Sequence, residues 1–351
     1  MNPKKILFVY SQWQSFVKED FHLLSDDFNV QKLHFELNKK PYSFIKGQVF
    51  GIFSLLWQIP RRDLVFIWFC DYHAFWSVLI SKVFRKKSVI VVGGFDAVKI
   101  PRIDYGLFMR TGIRVKLAQW AYQNCDRIIA VDSSLFHGKN SYAGENAVVG
   151  ISHFVKNIES KSLVIPTGYD DLKWKIKDKK LQVLTVALIK DQKVFDRKGI
   201  QLFLGVAKAL PEIPFYLVGL QNQDLIPDEF KNLPNLKIYP ILPQEDLIVL
   251  YSESKVYVQF SISEGLPNVL CEAMMSGCIP VGSSVNGIPL AVGDCGFILK
   301  EENLEQAILL VKNALDENEE KSKCARKRIQ KLFPKYLRKE KLKQMIIDLF
   351  P

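Results

Sequence analysis

The stretch "SEGLPNVLCEAM", residues 263–274, places two glutamates eight positions apart, with Gly-Leu-Pro-Asn between them and a short apolar helical pattern behind. The strand pattern "VYVQFS" runs into it, ending near Ser261, and a loop covers residues 262–267. Asn268 is predicted as the N-cap of a helix that Gly277 ends. Free amides and the positive end of a helix dipole at the carboxyl end of a buried strand bind anions, phosphate above all. Glu264 stands on the loop in front of that site, and Glu272 lies one turn into the helix. A carboxylate is a poor neighbour for phosphate and a good acceptor for sugar hydroxyls. Two of them flanking a diphosphate can each hold a different sugar, a ribose on one side and a transferable sugar on the other. Taken alone, the two glutamates describe a solvated helix face; the turn, the strand before it and the helix after it point to a nucleotide-sugar site.

Such a site needs a parallel sheet under it. Continuous apolar runs without in-out alternation, the mark of strands covered on both faces, recur along the chain. "KKILFVYS", "DLVFIWFC", "SVIVVGG", "DRIIAVDS" and "SLVIPTG" lie in the first half; "LQVLTVALI", "PFYLVGL", "LKIYPIL", "VYVQFS" and "IPVGSS" follow. Helical patterns fit between them, at 199–210, 244–252 and 304–318 for example. The expected class is α/β, with two doubly wound, Rossmann-like domains in tandem facing a cleft. The chain length of 351 residues agrees with two cores. Alternating charge in "GYDDLKWKIKDKK" marks the boundary, giving domains at 1–170 and 171–334, and the last segment, 335–351, reads as a basic amphipathic helix after Pro334.

Charge divides unevenly. The net +11 splits into +8 over residues 1–170, −6 over 171–320 and +9 over 321–351. No RNP, zinc-finger or helix-turn-helix signature accompanies the basic residues, so nucleic acid is not an expected partner. An anionic membrane surface or an anionic acceptor suits the asymmetry, and a merely solubilising surface is the plain alternative. The uncharged, aromatic-rich stretch of residues 47–60 is too short to span a bilayer. The six cysteines form no C-x-x-C pair and read as buried free thiols of a reducing compartment. The start of the chain reads as a buried strand and not as a signal peptide, so a cytoplasmic location, peripheral on the inner face of the cell membrane, is expected.

At "EGLPNVLCEAM" the sequence resembles the retaining glycosyltransferases of the GT-B fold, family four, whose signature is E-[GS]-[FL]-[GP]-x-x-x-x-E-A-M. "VIPTGYD" is similar to that family's V-I-P-N-G-V-D. "DRKGIQLFLGVAKAL" is similar to its K-G helix start, and "PVGSSVNGIPLAVGDCGFIL" to the segment around its G-G-I-P-E. The likeness runs from about residue 164 to 315. It implies a metal-independent transfer of a sugar from a nucleotide diphosphate to an acceptor hydroxyl with retention, serving surface polysaccharide or glycolipid synthesis. The nucleotide sugar is a substrate, and no cofactor is implied. The resemblance assigns Glu272 to the ribose and Glu264 to the donor sugar. Amides around Gly265, Leu266 and Asn268 fall to the diphosphate, Lys198 to the leaving group, and the backbone near Ile241 and Leu242 to the base. It also implies that the C-terminal helix crosses back to the first, acceptor-binding domain.

Departures from the family pattern fall at four places, one of them "NGIPL" in place of G-G-I-P-E, a matter of loop packing. Ala187-Leu188-Ile189 replaces the usual Gly-Arg-Leu, which leaves Arg197 or Lys190 to supply the missing phosphate cation. "YSQWQSF" lacks the glycine-rich turn of the first domain. "VVGGFDAVKIP" stands where many relatives carry a histidine, offering the Gly93–Gly94 turn and Asp96, which either orients an acceptor hydroxyl or caps the next helix. His73 reads as structural. A sugar-nucleotide epimerase of the same fold and a non-catalytic nucleotide-sugar scaffold are the competing functions. No D-x-D triplet offers a metal clamp.

Overall fold

The computed structural model describes residues 3–36 and 40–350; Met1, Asn2 and Pro351, which fall in the expected domain ranges, lie outside them. The first sheet is built from β1 (Lys5–Tyr10), β2 (Asn29–His34), β3 (Leu64–Trp68), β4 (Lys87–Val92), β6 (Arg127–Ala130) and β8 (Ser162–Val164), in the order β2-β1-β3-β4-β6-β8. Two short strands, β5 (Val98–Lys99) and β7 (Val148–Val149), pair antiparallel outside it. The second sheet contains β9 (Lys180–Ile189), β10 (Phe215–Leu220), β11 (Leu236–Tyr239), β12 (Ser254–Gln259), β13 (Ile279–Ser283) and β14 (Phe297–Leu299), ordered β11-β10-β9-β12-β13-β14. All pairings within both large sheets are parallel.

Helices cover the sheets. The first carries α1 (Ser15–Ser25), α2 (Pro41–Gln58), α3 (Tyr72–Val83), α4 (Ile113–Asn124) and the single turn α5 (Ser134–His137). The second carries α6 (Gln192–Arg197), α7 (Ile200–Ala209), α8 (Asp228–Lys231), α9 (Gln244–Glu253), α10 (Asn268–Met275), α11 (Ile288–Val292), α12 (Leu304–Asp316) and α13 (Glu319–Leu332). The central strands β1, β3, β4 and β12 are buried along nearly their whole length, as their unbroken apolar runs require. β2 is a half-exposed edge strand of sequence NVQKLH, and β14 is a three-residue edge; neither carries a long apolar run.

The chain ends in α14 (Lys335–Asp348), which packs on α1. Among its buried residues is Arg338, whose guanidinium donates from Nε to Asp20 Oδ1 at 2.6 Å and from Nη2 to Asp20 Oδ2 at 2.7 Å. The same guanidinium caps the carbonyls of Ile165 and Pro166, and Trp68 donates to Asp20. Both charges are almost wholly buried and fully bonded. Removing one partner of such a pair strands the other, so Arg338→Ala is expected to cost about 3–5 kcal/mol. Urea unfolding measures that loss, and proteolysis should release the tail first.

One expectation on the cysteines is corrected. Cys70, Cys125, Cys271 and Cys278 are buried free thiols, but Cys295 and Cys324 are joined in a disulfide. The partners lie 29 residues apart, and what brings them together is α13 packing beside the turn that follows α11. Spacing along the chain carries no sign of that contact.

Candidate active site

In the second sheet the strand order reverses between β9 and β12, and a crevice opens outside the carboxyl ends of strands at such a point. Both chemical segments leave from there. β9 leads into α6 and the Arg197-Lys198-Gly199 corner, and β12 leads into the loop holding Glu264. Gly199 has φ +65°, and a Cβ there would collide with the Phe260 carbonyl, so the corner requires glycine. The amide of Ile262 donates to Arg197 O at 2.8 Å and ties the two segments together.

Glu264 is held from one side only. Oε1 accepts from Lys198 Nζ, from Ser261 Oγ at 2.7 Å and from Gln259 Nε2 at 3.3 Å. Arg197 Nη1 lies 3.8 Å from the same oxygen and donates to Ser263 O at 3.3 Å. Among the described residues every hydrogen bond to this carboxylate falls on Oε1, so Oε2 keeps its lone pairs. Burial alone would raise the Glu264 carboxyl, but Lys198 and Arg197 outweigh it and bring it below its ordinary value. Burial pulls the Lys198 ammonium down, with Glu264 opposing. Two cations against one carboxylate leave the corner net positive. Lys190 is exposed, so of the two candidate cations Arg197 is the one in the crevice.

The loop is fixed around its carboxylate. Asn286 Nδ2 donates to Glu264 O at 2.5 Å, and Gly287 N donates to Gly265 O at 3.0 Å. The first-turn amides of α10, at Asn268, Val269 and Leu270, have no partner among the described residues. Asn268 is not the N-cap: it is the first helical residue, Pro267 holds the cap position, and Asn268 Oδ1 accepts from Tyr169 Oη at 2.7 Å. The proline before it already fixes the extended entry into the helix, which frees the amide side chain.

Glu272 is half-buried one turn further along. Burial lifts its carboxyl from 4.5 to about 7, with Lys173 and Tyr251 opposing. Ile241 is exposed and Leu242 half-buried on the loop between β11 and α9.

The first domain lies against this corner. A Cβ on Gly265 would meet Val131 at 3.1 Å and Leu135 at 3.3 Å, and one on Gly94 would stand 3.8 Å from the Gly265 amide. Asn140 Nδ2 bridges to Ile262 O at 2.8 Å. Gly94 therefore faces the glutamate loop, whereas Asp96 does not. Asp96 is 1% exposed and accepts from Cys70 N, Gly93 N, Gly94 N and Tyr122 Oη. It caps the turn and offers no oxygen to an acceptor, which corrects the reading of Asp96 as a cleft carboxylate. His73 is fully buried, with Nε2 donating to Trp68 O at 2.9 Å.

Residues 170–331 match the model of the family "Glycosyl transferases group 1". The second domain thus carries the sequence pattern of the group 1 glycosyl transferases. The fold is that of the GT-B glycosyltransferases over the whole length of the chain, as solved structures show. HepE of Anabaena in complex with UDP-glucose superposes with a TM-score of 0.74 at 13% identity, covering 98% of this chain and 100% of that one. Sucrose-phosphate synthase from Thermosynechococcus elongatus gives 0.75 at 13%, with 99% of each chain covered. A glycosyltransferase from Rickettsia africae gives 0.70 at 15%, with 100% of each covered. No curated protein matches this chain by sequence.

Residues that sequence reasoning did not reach also line the site. Ser261 and Gln259 alternate on one side of the end of β12, a period-2 signal that points both at Glu264. Tyr169 lies inside "VIPTGYD" and Tyr251 inside the α9 pattern, but contact with α10 is visible only in three dimensions.

Proposed function

We propose that this protein is a glycosyltransferase that takes a sugar from a nucleotide-diphosphate donor and joins it, with retention, to an acceptor hydroxyl without a metal ion. The observation that carries the reading is the one-sided anchoring of Glu264, which leaves Oε2 to accept from the donor sugar's hydroxyls. Lys198, Arg197 and the free amides of α10 meet the diphosphate, and Glu272 takes the ribose. Ile241 and Leu242 are assigned to the base. The bond from the anomeric carbon to the phosphate oxygen breaks as the acceptor oxygen bonds from the same face. The acceptor proton passes to the departing phosphate. The enzyme contributes positioning and stabilisation of charge on the leaving group. HepE is seen with UDP-glucose, which supports a nucleotide-sugar donor here.

Incubation with nucleotide sugars and a membrane lipid extract tests the reading. Release of nucleoside diphosphate with a product of unchanged anomeric configuration is expected. An inverted linkage would contradict retention, binding without release would favour a scaffold, and an epimerised sugar would favour the epimerase.

The acceptor side carries an observation of its own. α2 exposes Tyr42, Ile45, Val49, Phe50, Phe53 and Trp57 to solvent, four of them aromatic. No helix among the described residues is long and apolar enough to cross a membrane. Phe44 meets Tyr72 and Trp76 meets Gln48, so α2 and α3 run side by side in the same direction. Exposed Arg61 follows the end of α2, and exposed Val83, Phe84 and Arg85 stand at the end of α3. An apolar face rimmed by cations fits the interface of an anionic membrane, where a lipid-linked acceptor is reached. Phe53→Glu with Trp57→Glu should abolish sedimentation with phosphatidylglycerol vesicles at low salt. Equal sedimentation of the variant, or none by the parent, would sink the membrane reading.

A further inference from the structure

Residues 98–109 leave the first domain as a tongue. It is rooted by β5, by buried Val98, Ile100 and Leu107, and by Phe108 stacked on Phe154 at 3.9 Å. Ile100 and Tyr105 exchange backbone hydrogen bonds of 2.9 and 3.2 Å, which close the tip into a tight loop. Asp104 at φ +46° and Gly106 at φ +116° make that turn.

Three tip side chains all reach the second domain. Arg102 pairs with Glu302, and Asp104 Oδ2 accepts from Lys193 Nζ at 2.6 Å. The Tyr105 ring lies 5.0 Å from the Arg197 guanidinium carbon, and Phe95 packs edge-on against the same ring. The ion pairs are half-exposed, and such pairs contribute little each, so they form and release easily as domains move. The ring contact differs, because it touches a side chain of the site itself. Arg197 has one hydrogen bond to Ser263 O and a distant carboxylate; without the ring its long side chain is held at one end only. A planar guanidinium against an aromatic face is both attracted and oriented.

We infer that Tyr105 is a positioning residue: the tongue brings its ring onto Arg197 when the domains close and aims the guanidinium at the donor's diphosphate. Arg197 is thereby placed by the acceptor domain, and the leaving group is fully neutralised only in the closed enzyme. This rests on the donor site proposed above.

Inorganic pyrophosphate, the unit common to nucleotide-diphosphate sugars, is the probe. Its affinity is measured by calorimetry for the full chain, Tyr105→Leu, Tyr105→Phe, Arg197→Ala and the Leu/Ala double variant, with Tm recorded for each. Arg197→Ala should weaken binding about 10-fold or more, as loss of a charge-assisted hydrogen bond does. Tyr105→Leu should weaken it about 3–5-fold, the scale of a lost cation–π contact, and Tyr105→Phe should restore it. The double variant should match Arg197→Ala alone, since the ring acts only through the arginine. Additive losses, or a Phe variant as weak as Leu, would overturn the inference. Tyr105→Met keeps the bulk without the ring face and replaces Leu if that variant is unstable. Absence of pyrophosphate binding by the parent would overturn instead the donor site beneath it.

Discussion

Lys198→Ala is expected to lower kcat/KM for sugar transfer by about 10²–10³-fold, the cost of removing one preorganised group from a developing anion. The same change strands the buried carboxylate of Glu264, which Lys198 contacts directly. Folding stability should fall by about 3 kcal/mol near neutral pH, because an unpaired buried charge is left behind. The sign with pH follows from the pairing. In the parent, Lys198 and Arg197 hold the Glu264 carboxyl low against the pull of burial. Without Lys198 burial regains weight, the folded-state pKa rises, and the stability loss is largest at high pH and shrinks on acidification. Urea unfolding at pH 8 and pH 5 checks this. Lys198→Met combined with Glu264→Gln should regain most of the stability and none of the activity. A double variant as unstable as the single one would show that the pair is not the cause.

Glu272→Gln should separate stability from binding in the opposite sense. Burial raises its carboxyl from 4.5 to about 7, so the folded chain holds that proton more tightly than the unfolded chain does. Raising the pH from 4.5 through 7 therefore withdraws stability, about 3 kcal/mol in full. Glutamine never ionises. The variant should match the parent near pH 4.5 and exceed it by up to about 3 kcal/mol above pH 7, while losing donor affinity for want of a carboxylate to accept ribose hydroxyls. Denaturation curves of both proteins across pH 4.5 to 8 measure the divergence. A constant offset across that range would contradict the raised carboxyl. The parent's donor affinity should rise across pH 7, where Glu272 ionises.

The sheets were legible because strands buried on both faces must be apolar throughout, and β1, β3, β4, β6, β9, β10, β12 and β13 announce themselves that way. β2 and β14 escaped notice as edges, with sequences NVQKLH and FIL too polar or too short to stand out. Glu264, Lys198 and Arg197 were legible as types in context, and the structure brings the three together at the strand-order reversal. The state of Asp96 was not, since a carboxylate after Gly-Gly reads alike whether it faces a cleft or caps its own turn. Asn268 was misplaced by one residue because Pro267 already sets the helix entry. Tyr105 and the Cys295–Cys324 bond depend on contacts between distant segments, which no local spacing encodes.

The most direct test of the donor site is calorimetric titration of the chain with UDP-, GDP-, ADP- and CDP-sugars in the presence of EDTA. The account predicts sub-millimolar binding of one nucleotide class, with two different losses in variants. Glu272→Ala should lose the nucleotide itself, and Glu264→Gln should keep the bare nucleoside diphosphate but lose the preference for its sugar conjugate. No binding by the parent at millimolar ligand, or binding that neither variant alters, would contradict it.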